Sequence, residues 1–125
     1  MRAATTIVQI IIRLTWLILL VLGMLFWTGR DQAFIPAHGF LGVAFALALW
    51  ALAYIGERCG MPPGLVGTVV LWGLVVVVIG MIQTRILTGS SHWIIQVLHL
   101  LVGFVAIALA EAVGARIKRR LAGSV

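Results

Sequence analysis

Carboxylates and thiols are scarce in this chain. Its 125 residues include only three Asp and Glu residues in total and a single cysteine. Intramolecular disulfides and thiolate metal clusters each need at least two cysteines, so the sequence excludes both. With so few acids, no set of side chains has the composition of an independent acid–base or nucleophilic active site. An independent catalyst of either kind is therefore not expected.

Charge of either sign is rare as well. Charged residues make up 10% of the chain and hydrophobic residues 63%, which lies far outside the composition of soluble domains. A membrane span needs about 20 mainly apolar residues to cross a hydrocarbon core about 30 Å thick. Four runs qualify, at residues 7–27, 34–56, 65–86 and 92–114. We therefore predict an all-α fold, a four-helix transmembrane bundle, as a single integral membrane domain over residues 1–125 in the lipid bilayer.

The few cations are distributed unevenly beside the spans. If the cluster at residues 116–120 is cytoplasmic, four spans place the N-terminus on the same side, and seven of the nine cations then face the cytoplasm. Arg30 and Arg85 remain on the outer side. Membrane topology thus explains the net charge of +6, and no nucleic acid partner is expected. We predict that both termini are cytoplasmic, in a bacterial inner membrane.

This chain lacks the essential features of two classes of membrane protein. Small four-span multidrug exporters depend on a carboxylate in the first span, whereas the acid within a span of this chain is Glu111, in the fourth. A channel would need a polar stripe or a repeated filter loop, and neither is present. The first span does contain Arg13 near its cytoplasmic end. Its guanidinium either reaches the headgroups along its long stem or acts as a buried counter-ion.

What the spans do contain is histidine. His92 and His99 are seven residues apart in the fourth span, close to two helical turns, so both imidazoles share one helix face. His38 lies in the second span. Glycine follows four residues after two of these histidines, as Gly42 in HGFLG and Gly103 in HLLVG. An ionisable side chain at membrane depth is costly, so each histidine is a functional-site hypothesis.

His38 and His99 are predicted to lie at the same depth. His38 is 19 residues from Glu57, and His99 is 17 residues from Arg116, which corresponds to about 28 and 25 Å of helix. Two level imidazoles in the outer leaflet half can ligate an iron axially, and the glycines one turn deeper leave room for a flat macrocycle. A hydrogen bond between packed helices, another metal, and a proton relay remain open alternatives.

The two H-x-x-x-G segments resemble those of the membrane-embedded b-type cytochromes, which hold haem between histidines of different helices. The resemblance covers the second and fourth spans and implies one haem b per chain, with His38 and His99 as metal ligands. Many such cytochromes have a second histidine pair in the other leaflet, which this chain lacks, so a single haem near the outer surface is expected. Two alternatives are open for His92: a bond to a haem propionate, with Arg30 or Arg85 as a charged companion, or a place at the membrane interface beside Trp93 without a role.

These observations lead to two functional hypotheses. The first is a small transmembrane electron carrier, or the haem subunit of a larger redox complex, that exchanges electrons with a redox partner or quinone at the outer face. The second is a cofactor-free accessory subunit that packs through its small-residue helix faces in a larger membrane complex. A faint internal repeat, LVLGML at 20–25 and VVIGMI at 77–82, also suggests that the bundle is a duplicated helical hairpin.

Overall fold

The fold is built from four long helices. A computed structural model describes residues 1–123 and contains α1 (Arg2–Trp27), α2 (Ile35–Arg58), α3 (Pro63–Ile82) and α4 (His92–Gly123). The described chain contains no strand, and all four helices are long and apolar enough to cross a membrane. This confirms the predicted all-α four-helix fold and indicates an integral membrane protein. The predicted domain of residues 1–125 runs two residues beyond the described part.

The helices end where glycine and proline interrupt them. α2 stops at Arg58, and Gly60 turns the chain with a φ of 72°. Pro63 then opens α3, at a position where the missing N–H of proline costs little. α3 ends at Ile82, four residues before the predicted end of the third span, and Leu87 turns the chain with a φ of 49°. Hydropathy alone did not reveal this turn, because Ile86 and Leu87 are as apolar as the helix before them.

The four helices alternate in direction and form a rhombic bundle. α1 and α3 each pack against both α2 and α4, while α2 and α4 also contact one another directly. The two termini and the α2–α3 loop lie at one end, which we term the basic end; its cations are Arg2, Arg58, Arg116, Lys118, Arg119 and Arg120. The α1–α2 and α3–α4 connections lie at the opposite end, termed the histidine end because His38 and His92 are close to it.

The buried core lies mainly toward the basic end. Its large side chains include Phe45, Leu49 and Leu52 of α2, which are at most 1% exposed. Small residues lie between them on the α2 and α4 faces that meet, and these are almost fully buried: Ala46, Ala53, Ala106 and Ala110. Small side chains let helix backbones approach closely in a membrane, where van der Waals packing drives helix association. The small-residue faces of α2 and α4 therefore point into the bundle.

Two tryptophans hold α4 from opposite sides. The indole of Trp16 in α1 donates a hydrogen bond to the Gly103 carbonyl at 3.2 Å, and Trp72 in α3 donates to the neighbouring Val102 carbonyl at 3.0 Å. Both acceptors lie about one helical turn below His99. These bonds fix the depth of α4 relative to its two neighbours, and so they fix the level of His99.

Candidate functional site

The structure brings His38 and His99 together. Their ring centroids are 6.2 Å apart, and the ring planes are inclined by 53°. Each imidazole has a buried Nδ1 atom with no hydrogen-bond partner in the described chain. No hydrogen bond joins the two rings in this arrangement. Buried polar atoms nearly always have a partner, so the two unpartnered nitrogens are exceptions, and they are available to a ligand.

Two glycines from the outer helices lie against these imidazoles. A Cβ atom added at Gly23 of α1 would lie 3.7 Å from His38 Cε1, and one at Gly80 of α3 would lie 3.4 Å from His99 Cε1. Each helical hairpin thus supplies a glycine from its first helix and a histidine from its second. Gly23 and Gly80 were not among the site residues predicted from the histidine spacing. The signal was present, because these glycines are the shared centre of LVLGML and VVIGMI.

The glycines one turn deeper than the histidines have unlike surroundings. A Cβ atom at Gly42 would meet no atom within 4 Å, so there is open space beside α2. A Cβ atom at Gly103 would lie 3.9 Å from Nε1 of Trp16. The two positions therefore do not form a symmetric groove: the space lies on the α2 side, and the Trp16 indole lies beneath His99.

The other predicted site residues surround the pair at a distance. His92 is the first residue of α4 and lies seven residues from His99, or about 10 Å along the helix. Its Nδ1 atom is also buried without a hydrogen-bond partner in residues 1–123. Arg30 and Arg85 are exposed in the two connections at the histidine end, and their side chains form no ion pair with any described residue. All three lie at the same end of the bundle as His38.

Two protein side chains, His38 and His99, are placed to bind one metal atom. A metal ion between two imidazole nitrogens takes about 2 Å on each side, which places the ring centroids about 6 Å apart. The observed separation of 6.2 Å matches that value. No three His, Cys, Asp or Glu side chains of the described residues come together. Two protein ligands are too few to enclose a bare zinc ion, but they suit an iron whose four remaining ligands come from a macrocycle. The residues present therefore fit a haem.

A second polar group lies in the half of the bundle toward the basic end. Arg13 of α1 forms a two-pronged ion pair with Glu111 of α4, with both nitrogen–oxygen distances at 2.7 Å. Gln9, which is 2% exposed, donates a longer hydrogen bond of 3.4 Å to the same carboxylate. The guanidinium is therefore paired with a carboxylate of α4 and is 56% exposed within the chain. Gly114 leaves the space that the Gln9 amide fills.

Comparison with known proteins adds no functional information. No protein-family model, no curated protein and no solved structure matches this chain. What the fold and site define is a class: a four-helix integral membrane protein with one facing pair of histidines on its two central helices. The interpretation of the site rests on its geometry.

Proposed function

We propose that this chain is a small transmembrane b-type haem protein that carries electrons, with one haem b held by His38 and His99. When bound, the haem iron supplies one-electron redox chemistry. The protein acts as an electron carrier, or as the haem subunit of a larger redox complex, and not as an independent catalyst.

One observation carries this proposal: two imidazoles from different helices face each other at 6.2 Å between ring centroids. That spacing suits one metal atom, and the absence of a third ligand among the described residues favours a metal that brings its own equatorial ligands. The open space at Gly42 and the absent side chains at Gly23 and Gly80 support it, because a planar ring needs room beside its axial ligands.

The polar residues at the histidine end are proposed to hold the haem propionates. His92 has an unpartnered Nδ1 atom and lies about two turns beyond His99, toward the headgroups. Arg30 and Arg85 supply positive charge at the same end. A hydrogen bond between a charged group and a carboxylate is about twice as strong as a neutral one. Gly103 is proposed to lie one helical turn below His99, where its missing side chain leaves room for the Trp16 indole.

The most direct test is an absorption spectrum of the purified protein, oxidised and then reduced. We expect one low-spin b-type haem per chain. His38→Ala and His99→Ala should each abolish or severely weaken haem binding, because each removes an axial ligand. His92→Ala is the matched control, since it removes an imidazole from the same face of α4; it should retain haem with a changed potential or affinity. Loss of haem in His92→Ala alone would contradict the ligand assignment.

We further propose that the basic end faces the cytoplasm of a bacterial inner membrane and that the histidine end faces outward. The cations concentrated around the termini support this orientation. In a Cys59→Ser background, single cysteines at Gln32 and Ala122 should react with impermeant reagents from opposite sides of the membrane. Reaction of both from one side would refute the orientation.

Electron exchange is proposed to occur at the outer face, with a redox partner or a quinone. The histidine pair lies about 25 Å from the basic cluster along the helices, which is too far for efficient direct transfer to that side. In sealed, oriented vesicles, an outer reductant should therefore reduce the haem much faster than the same reductant inside. Equal rates from the two sides would overturn this placement.

A colourless protein with no bound haem would favour the alternative, a cofactor-free accessory subunit in a larger membrane complex. The small residues proposed to bind the partner, such as Ala46 and Ala106, are at most 1% exposed within this chain. Such a subunit would therefore have to present other helix faces to its complex. Co-purification of the full chain with a partner, together with the spectrum, distinguishes the two classes.

A further inference from the structure

Two cationic clefts lie at the basic end, at the opposite end of the bundle from the histidine pair. The smaller, with a volume of about 200 Å³, is lined by Met61, Pro62, Arg116, Arg119 and Arg120. The larger, of about 360 Å³, is lined by Arg2, Thr6, Lys118, Arg119 and Ala122. Neither cleft is lined by a carboxylate. Five cations therefore surround two concave surfaces with no acid among the lining residues.

The clefts flank the last turns of α4. Ile117 is fully buried, and a Cβ atom at Gly56 would lie 3.7 Å from its Cδ1 atom, so this face of α4 packs against α2. Arg119 lies two residues further on, about 200° around the helix, and points away from the core. It lines both clefts because it lies between them. One cleft faces the α2–α3 loop, and the other faces the start of α1.

Helix length places these clefts at the depth of the lipid headgroups. α3 contains 20 residues, so it is about 30 Å long, which equals the thickness of the hydrocarbon core. Its first residue, Pro63, thus marks the hydrocarbon boundary at the basic end. Pro62 lines the smaller cleft and is next to that boundary. Met61 and Ala122 give the clefts apolar edges beside their cationic walls.

Two of the five cleft cations, Arg116 and Arg119, are available to an anion, while Lys118 interacts electrostatically with Glu111. Arg120 donates a hydrogen bond of 2.6 Å to the Gly60 carbonyl, which holds its guanidinium against the α2–α3 loop. Arg116 and Arg119 form no ion pair with any residue in 1–123. Glu111, one of the two acids toward this end, is already paired with Arg13. Membrane orientation explains why cations collect at one end, but it does not require them to line concave surfaces.

We propose that the two clefts bind the phosphates of anionic phospholipids on either side of α4, with Arg119 shared between them. Phosphate provides the charge and the acceptor oxygens that arginine binds with a fork of N–H donors. A lipid suits the clefts better than a free anion, because they lie at headgroup depth and have apolar edges. The site is independent of the proposed haem.

Native mass spectrometry of the detergent-solubilised full chain tests this, with phosphatidylglycerol, phosphatidylcholine or inorganic phosphate as the probe. We expect phosphatidylglycerol to be retained at least tenfold more strongly than phosphatidylcholine. Arg119→Gln should weaken that binding about fivefold, the usual contribution of one basic residue near an anionic surface. Arg119→Lys, which keeps the charge, should lose less.

The matched control is Arg58→Gln, which removes one exposed charge at the same end from outside both cleft linings and should leave lipid retention within about twofold of the parent chain. Equal retention of the two lipids would overturn the proposal, as would an equal loss in the control. Full displacement of phosphatidylglycerol by millimolar inorganic phosphate would assign the clefts to a free anion instead. Because all the substituted side chains are exposed, helix content by circular dichroism should not change.

Discussion

The two halves of this bundle are packed very differently. Toward the basic end, α2 is buried at eight positions from Phe45 to Gly56, whereas none of the ten residues before Phe45 is buried. In α3 the last buried residue is Val76, and in α1 it is Ile12, although both helices continue for more turns toward the histidine end. The half toward the basic end is thus a closed core, whereas α1, α2 and α3 bury no residue in the more open histidine half, where Ile95 of α4 is buried.

This difference places the closest packing in one half and the proposed haem site in the other. Closely packed small and large residues stabilise helices in a membrane by van der Waals contact, and that contact is concentrated in the closed half. Three of the four buried side-chain atoms without a hydrogen-bond partner among the described residues are the histidine Nδ1 atoms of the open half, and the fourth is Gln9 Oε1 in the closed half. Unsatisfied buried polar atoms are costly, so they are expected where a ligand completes them. The closed half therefore holds most of the buried side chains, and the proposed histidine site lies outside it.

The largest effect is expected from a cavity in the closed half. Leu52 is fully buried, and Leu52→Ala should lower the free energy of unfolding by about 2 to 4 kcal/mol through lost packing and a residual cavity. Leu41→Ala, on the same helix in the open half, should cost less than about 1 kcal/mol because Leu41 is only partly buried. Reversible unfolding of both variants in mixed micelles measures the difference. Equal costs would mean that the two halves are equally packed.

Replacing glycine by alanine should change the free energy of unfolding in opposite directions in the two halves. A Cβ atom at Gly73 would lie 2.6 Å from Trp50 Nε1, which donates a hydrogen bond to the Val70 carbonyl, so Gly73→Ala should destabilise the chain by about 1 to 3 kcal/mol. Gly42→Ala meets no atom within 4 Å and should stabilise the haem-free chain by up to about 1 kcal/mol, because alanine favours the helix. A destabilised Gly42→Ala chain would show that the open half is closed in solution.

A bulky residue beside the His99 imidazole should weaken haem binding and leave the packing of the core unchanged. Gly80→Leu would push against His99 Cε1, which a Cβ atom alone would approach to 3.4 Å, and we expect about a tenfold loss of haem affinity. Gly67→Leu is the control on the same helix, since a Cβ atom there meets no atom within 4 Å. Haem titration followed by absorbance compares the two. An equal loss in both would show that Gly80 does not position His99.

The smallest effect is expected at the ion pair of the closed half. Arg13 and Glu111 remain 56% and 39% exposed, and exposed pairs generally contribute about 0.2 to 1 kcal/mol. A double-mutant cycle with Arg13→Gln and Glu111→Gln measures that coupling by unfolding. A coupling of several kcal/mol would mean that the pair is far less solvated than this exposure indicates, as it would be if lipid or a partner covered it.

Some features of the fold could be predicted from the sequence, and some contacts of the site could not. Helix number followed from composition, because a span must satisfy its backbone hydrogen bonds within a helix. The inward orientation of the small-residue faces came from the structure, since the sequence left open that they pack against a partner. The pairing of Gly23 with His38 and of Gly80 with His99 did not follow. The repeat showed where each glycine lies along the chain, but which neighbouring face a residue meets depends on how the helices rotate against one another.

The sequence by itself determined that four apolar helices cross a membrane in alternating directions and that His38 and His99 lie at one depth, since length and rise per residue fix both. Only the tertiary structure decided that these imidazoles face each other, that the Trp16 indole lies below His99, and that Arg13 pairs with Glu111. These contacts join residues about 60 to 100 positions apart in the chain. Periodicity along one helix carries no information about them, because they depend on the crossing and rotation of two packed helices.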